Sequence, residues 1–152
     1  MENFWVRPIE AAQTHALRSA VLRPGAVLRP GALIYPGDDA PETRHFGAFC
    51  GEEIVGIASI YRESWQIDVG LKAYRLRGMA VDARFQRRGI GAALIEASLR
   101  FVTTEKGAIL WCNARVAALD FYLSLGLESV GEEFEIAGVG PHFRMFLWVV
   151  GQ

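Results

Sequence analysis

The chain has 152 residues, 51% of them hydrophobic, and a formal net charge of −1. That length and apolar fraction suit one globular domain over residues 1–152 with a sizeable core. The near-neutral charge exerts no global pull toward nucleic acid or an acidic membrane surface. No apolar run approaches the roughly 20 residues that span a bilayer, and the N-terminus lacks the basic and apolar regions of a secretory signal. Cys50 and Cys112 lie far apart in apolar, strand-like segments and read as buried thiols of a reducing compartment, so the expected location is cytoplasmic.

Phe4 to Arg7 reads as a first strand ended by Pro8. Glu10 to Val21 has the spacing of an amphipathic helix with Ala12, Ala16, Leu17 and Ala20 on one side. A tandem hexapeptide follows, Ala20-Val21-Leu22-Arg23-Pro24-Gly25 and then Ala26-Val27-Leu28-Arg29-Pro30-Gly31. Two copies are too few for a repeat architecture. Each Pro-Gly marks a turn, so a duplication that lengthened a surface loop is the favoured reading, and a wall for a substrate pocket the other.

Tyr35 to Thr43 is a Pro-, Gly- and Asp-rich loop. His45–Cys50 and Ile54–Tyr61 are strand-like runs joined by Gly51-Glu52-Glu53, a hairpin by spacing. Arg62 to Val69 connects to a third long strand, Tyr74 to Val81. A helix over Gly89 to Thr104 is apolar on two faces, which implies burial on both sides. After Lys106-Gly107 come a short apolar strand, Ala108 to Cys112, and a second helix, Ala117 to Leu125, stopped by Gly126. Leu127–Val130 and His142–Val150 are the last strands, separated by Gly138 to Pro141. The order implies a mixed sheet flanked by helices, an α/β or α+β single domain. The strand–helix–strand from Tyr74 to Cys112 should form a right-handed parallel crossover.

Between that third strand and the central helix stands Gln86-Arg87-Arg88-Gly89-Ile90-Gly91. The first N–H groups of a helix lack intrahelical partners and carry the positive end of its dipole. Gly89 and Gly91 let a ligand approach that backbone, and Arg87 and Arg88 add charge, so the turn suits a phosphate or pyrophosphate. Five arginines against one acid, Asp82, lie between Arg75 and Arg88. A Walker loop is excluded because no Gly-Lys pair followed by Ser or Thr is present. A dinucleotide fingerprint is excluded because Leu94 stands where its third glycine belongs. Taken alone, the six residues suit an exposed strand-to-helix turn equally well.

The pattern Gln/Arg-x-x-Gly-x-Gly after an apolar strand resembles the acetyl-CoA pyrophosphate loop of the GCN5-related N-acetyltransferases (GNAT). A second motif follows the next strand: Ala118, Tyr122 and Gly126-Leu127 match the family's Ala-x-x-x-Tyr and Gly-apolar sequence in order and spacing. Alone, Tyr122 could be a core tyrosine, since Ala118, Phe121, Tyr122 and Leu125 fall at helical spacing. Two motifs in the right order are more specific than either. The resemblance covers nearly the whole chain, from Phe4-Trp5-Val6-Arg7-Pro8 to Gly140-Pro141-His142-Phe143-Arg144-Met145. It implies a GNAT-like acyl-CoA N-acyltransferase fold with a mostly antiparallel sheet, and acetyl transfer from acetyl-CoA to a primary amine by direct transfer in a ternary complex. The alternative on the same fold is a non-catalytic acyl-CoA-binding or regulatory module.

By that resemblance, Arg87, Arg88, Gly89, Ile90, Gly91 and Ala92 hold the pyrophosphate. Backbone N–H groups near Met79, Ala80 and Val81, where the fourth strand splays from the fifth, polarise the thioester carbonyl. Tyr122 is the general acid that protonates the departing thiolate. Family members often carry Asn seven residues before the tyrosine; Arg115 occupies that position, and Asn113 is the substitute. The Pro-Gly repeat stands in place of a second helix that usually lines the acceptor pocket. The acceptor is a small-molecule or peptide amine; no nucleic acid or membrane partner is implied, and a homodimer is compatible.

A lysine-like amine has a pKa near 10.4, so a base or desolvation must supply its neutral form. Glu52, Glu53, Glu63, Asp68 and His142 are the candidates, with none preferred; a lone His after a Gly-Pro turn is more often structural. His15 and His45 lack convincing partners in the sequence. No Cys/His/Asp spacing suggests a metal site, and no Gly-x-Ser-x-Gly elbow is present.

Overall fold

Seven strands, β1 (Trp5–Ile9), β2 (Arg44–Cys50), β3 (Glu53–Arg62), β4 (Ala73–Val81), β5 (Ile109–Arg115), β6 (Glu128–Ile136) and β7 (Gly140–Trp148), organise the fold. The computed structural model describes residues 3–25 and 31–149. The hydrogen-bonded order is β1-β2-β3-β4-β5-β7-β6. β1–β2, β2–β3, β5–β7 and β6–β7 pair antiparallel and β4–β5 parallel, giving the mostly antiparallel sheet expected of this α/β fold. The chain divides into two compact units, residues 1–62 with 76–100, and residues 63–75 with 101–152. No helix among the described residues is long and apolar enough to cross a membrane.

In the first unit, β1 continues through Pro8 to Ile9 instead of ending at it. β1 is an edge strand, where proline's missing N–H costs no ladder bond on the open side. The expected helix over Glu10 to Val21 is wound in three ways: a 3-10 turn (Ala11–Thr14), an α-helical turn α1 (His15–Leu17) and a π-helical turn (Arg18–Leu22). Its inward residues are Thr14, Leu17 and Arg18, whereas Ala12, Ala16 and Ala20 are exposed. The 3.6-residue period assumed for one regular helix therefore picks the wrong alanines. Pro24-Gly25 forms the turn expected of the first hexapeptide, and the second copy falls at residues 26–30, outside the described residues.

The β2–β3 hairpin is as its spacing predicts, with His45 opposite Ser59. Leu17, Ile57 and Ala80 form a core cluster against which Ile9, Val21, Leu22 and Ile54 pack. α2 (Ile90–Thr104) opens against β3 at Gly56, where an added Cβ would lie 2.8 Å from Ile90 and 3.1 Å from Leu94. Only glycine permits that approach, so Gly56 fixes the depth at which α2 begins.

In the second unit, the β4–β5 ladder pairs Ala73, Tyr74 and Arg75 with Ile109, Leu110 and Trp111 in parallel. Trp65, Ala73, Ile109 and Trp111 form its core, with Leu71, Val130 and Phe146 packed on it. β5 runs to Arg115, three residues beyond the apolar run that announces it, because β7 pairs with it along its whole length. The second helix is shorter than expected: a 3-10 turn (Val116–Ala118) leads into α3 (Leu119–Ser124). β6 extends to Ile136 rather than stopping at Val130, across an irregularity between Val130 and Phe134. It is an edge strand bearing Glu128, Glu132, Glu133 and Glu135, so its sequence lacks an apolar signature. β7 begins at Gly140 and includes Pro141, which lies opposite Glu135 of β6 and beyond the last β5 pair, Arg115 with His142.

Candidate functional site

The Arg-Gly turn lies in the first unit, and left-handed backbone recurs along it. Arg87, a non-glycine residue, has φ of +65°, and Gly89 has φ of +83°. Left-handed residues interspersed with ordinary ones turn successive N–H groups toward one side of the chain. An added Cβ at Gly89 would meet nothing within 4 Å, so its surroundings are open. The Ala93 N–H donates to the Gly89 carbonyl at 3.0 Å and closes the first turn of α2. The Gln86 side-chain amide donates to the Val81 carbonyl at 3.1 Å and ties the turn to the end of β4.

The arginine zone is partly structural. Arg84 pairs with Asp82 and Glu53, and Arg75 pairs with Glu63 in the second unit at 3.1 Å. Arg88 stands 5.2 Å from the Phe85 ring centroid, while Arg87 is exposed. Met79, Ala80 and Val81 end β4 just before this turn. One residue earlier, Gly78 has φ of +63° inside the strand, an interruption that re-aims the residues after it. An isolated glycine within an apolar strand pattern was the signal for this distortion.

Tyr122 and Asn113 belong to the second unit. Tyr122 is the buried residue of α3, 7% exposed, whereas its neighbours Phe121 and Leu123 are 37% and 45% exposed. The stripe at helical spacing is thus not a core stripe, since Phe121 faces out. Among the described residues, no hydrogen bond engages the Tyr122 hydroxyl. Burial, and then the adjacent Cys112, push its pKa far above that of a free phenol. Burial likewise pushes the Cys112 thiol up to about 12 against the opposing charge of Arg75. On β5, the Asn113 side-chain oxygen is buried with no hydrogen-bond partner among the described residues.

Among the candidate bases, Glu53 and Glu63 are held by Arg84 and Arg75. Asp68 accepts from the Gly70 N–H at 3.1 Å, and Glu52 is exposed in the hairpin turn. His142 is different. It is 3% exposed, lies against Phe134, and its Nδ1 is 2.7 Å from the Gly140 carbonyl. A carbonyl only accepts, so Nδ1 carries a proton and Nε2 holds the lone pair of the neutral ring.

A buried polar network in the first unit was missed in the sequence. Arg18 donates from Nη1 to Asp38 Oδ2 at 2.6 Å and to the Leu33 carbonyl at 2.8 Å. Its Nη2 donates to Asp38 Oδ1, Ser59 and Tyr61 at 3.1, 3.1 and 3.2 Å. His45, expected to lack partners, has Nδ1 at 2.7 Å from the Ser59 hydroxyl and Nε2 at 2.9 Å from the Asp38 carbonyl. Burial opposes the charge on Asp38, but donors from Arg18 and Tyr61 outweigh it and hold the carboxyl at about 2. The available signal was Ser59 and Tyr61, polar residues at a two-residue period in an otherwise apolar strand.

Residues 36–147 match the family model described as "Acetyltransferase (GNAT) domain". The chain is 31% identical over 141 residues to the uncharacterized N-acetyltransferase YitI of Bacillus subtilis (strain 168), covering 93% of each. The crystal structure of Escherichia coli ElaA is similar in fold, with a TM-score of 0.76 and 20% identity over 95% of this chain and 99% of that one. An aminoglycoside 6'-N-acetyltransferase complexed with coenzyme A has a TM-score of 0.76 at 14% identity, over 97% of this chain and 98% of that one. On the extent of the family match and the identity to its curated relative, the chain belongs to the GNAT acetyltransferase family.

Proposed function

We propose that residues 1–152 act as one N-acetyltransferase domain that moves an acetyl group from acetyl-CoA directly to a primary amine in a ternary complex. The observation that carries this reading is the Arg-Gly turn, where left-handed backbone at Arg87 and Gly89 opens the 15-residue helix α2. The backbone of Gly89, Ile90, Gly91 and Ala92 takes the pyrophosphate, and Arg87 and Arg88 contribute charge. Backbone N–H groups near Met79, Ala80 and Val81 bond the thioester oxygen as negative charge develops on it. The unpartnered Asn113 oxygen suits an amide N–H of the coenzyme arm.

His142 Nε2 accepts the proton lost by the attacking amine. The amine nitrogen bonds the carbonyl carbon, the carbon–sulfur bond breaks, and Tyr122 gives its proton to the departing sulfur. Free phenol and thiol values near 10 and 8.5 suggest an easy transfer. Burial raises the Tyr122 phenol above its free value, which makes this transfer costlier than between the free groups.

A panel of amines with acetyl-CoA, followed by thiol release, tests the reading. Turnover of any primary amine above the uncatalysed rate supports it. Tight binding of acetyl-CoA with no acetylation across the panel would favour the non-catalytic acyl-CoA-binding module.

A further inference from the structure

Arg77 is a half-buried cation on β4. Its Cζ stands 4.8 Å from the Tyr35 ring centroid and 6.0 Å from that of Tyr61. Arg18 Cζ lies 3.8 Å from the same Tyr35 ring, so two guanidiniums share one aromatic residue. The carboxylate of this cluster is Asp38, and it is saturated. Besides the two Arg18 nitrogens it accepts from the Tyr61 hydroxyl at 2.6 Å and the Tyr35 N–H at 2.9 Å. Those four donors fill the roughly four acceptor positions of a carboxylate. Among the described residues Arg77 has no ion pair, in contrast to Arg18, Arg75 and Arg84. Two guanidiniums against one carboxylate leave a surplus positive charge in partly desolvated surroundings, where an anion gains most.

The position on β4 indicates which anion. Arg77 adjoins the distorted Gly78 and precedes Met79 by two residues on β4. We propose that Arg77 binds a carboxylate of the acceptor, so that the substrate is an amine bearing a carboxylate, such as an amino acid, rather than a polyamine or another polycation. This rests on the acetyl-transfer reading above, since it places the acceptor beside the residues proposed to polarise the thioester. The planar guanidinium matches a carboxylate through two parallel N–H···O bonds, and the same charge disfavours polycationic acceptors.

The test compares matched acceptors: amino acids, their carboxamides and the corresponding decarboxylated amines, each with acetyl-CoA. The wild type should favour the carboxylates by about 10-fold or more in kcat/KM. Arg77→Gln should abolish that preference through acceptor KM while leaving KM for acetyl-CoA unchanged, and Arg77→Lys should restore part of it. Equal use of acids and amides by the wild type would overturn the proposal. So would a loss of acetyl-CoA affinity in Arg77→Gln, which would assign the guanidinium to a coenzyme phosphate. Calorimetry of N-acetyl amino acids against their amides, in the presence of coenzyme A, tests the site independently of turnover. Tighter binding of the acids that disappears in Arg77→Gln supports the carboxylate site even if no amine is acetylated, in which case only the transferase reading falls. Equal binding overturns the site.

Discussion

Arg18 and Asp38, 20 residues apart in the chain, form a forked ion pair whose side chains are 0% and 2% exposed. The pair joins the π-helical turn to the Pro-Gly-Asp loop and is shared with Ser59 and Tyr61 on β3. Removing one member leaves the other charged in a site closed to water, a situation that typically costs about 3–5 kcal/mol. Asp38→Asn should therefore destabilise the fold by about that amount in urea unfolding. A loss below about 1 kcal/mol would mean that water reaches Arg18 in the variant.

The same carboxylate gives the fold an acid limit. Asp38 titrates at about 2 when folded, against an ordinary value of 3.8, so its contribution is complete above about pH 4 and is lost as the pH falls toward 2. A shift of that size corresponds to about 2 kcal/mol. Denaturant titrations between pH 2 and 5 should show stability falling with acid in the wild type and a shallower fall in Asp38→Asn.

Charge reversal at the Arg-Gly turn probes the proposed coenzyme site. Arg88→Glu should weaken acetyl-CoA binding by about 10- to 100-fold, since it replaces a charge-assisted contact with repulsion. The helix start is held by Gly56, Ile90 and Leu94, so the variant should fold normally. Calorimetry of both proteins decides the matter, and equal dissociation constants would remove Arg88 from the site.

The elements most legible in the sequence were those whose chemistry is local. The apolar run of β4, the Arg-Gly turn and the start of α2 are continuous in the chain, and the left-handed backbone at Gly89 is what a glycine there invites. The burial of Tyr122 agrees with its helical spacing, although Phe121 of the same stripe faces out. The Arg18–Asp38–Ser59–Tyr61–His45 network was not legible, because each member is innocuous until β2, β3 and the Asp38 loop bring them together. The regular helix expected over Glu10 to Val21 failed for a related reason: burial of Arg18 turns the inward face away from the alanines. β6 was cut short because an acidic edge strand carries no apolar period.

His142 tests the assignment of the base. His142→Gln keeps a hydrogen-bonding side chain of similar reach but cannot take up a proton. It should lower kcat/KM by about 100-fold or more, with acetyl-CoA affinity unchanged. An unaltered kcat/KM would return His142 to a structural role, held by Gly140 and packed on Phe134.

Tyr122 separates a catalyst from a binding module. Tyr122→Phe retains the buried ring and removes a hydroxyl that no described residue engages, so packing and coenzyme affinity should change little. In the proposed step that hydroxyl gives its proton to the departing sulfur, which develops charge only as the carbon–sulfur bond breaks. Its removal is therefore felt in the transition state and not in ground-state binding. General acid catalysis contributes about 100- to 10,000-fold, and the raised pKa of the buried phenol, with water as a substitute donor, places the expected kcat loss at the lower end of that range. KM for acetyl-CoA should stay nearly constant. With an acceptor that the wild type acetylates, and with chemistry shown to limit turnover, an unchanged kcat would leave Tyr122 as a buried ring that seats α3 and nothing more.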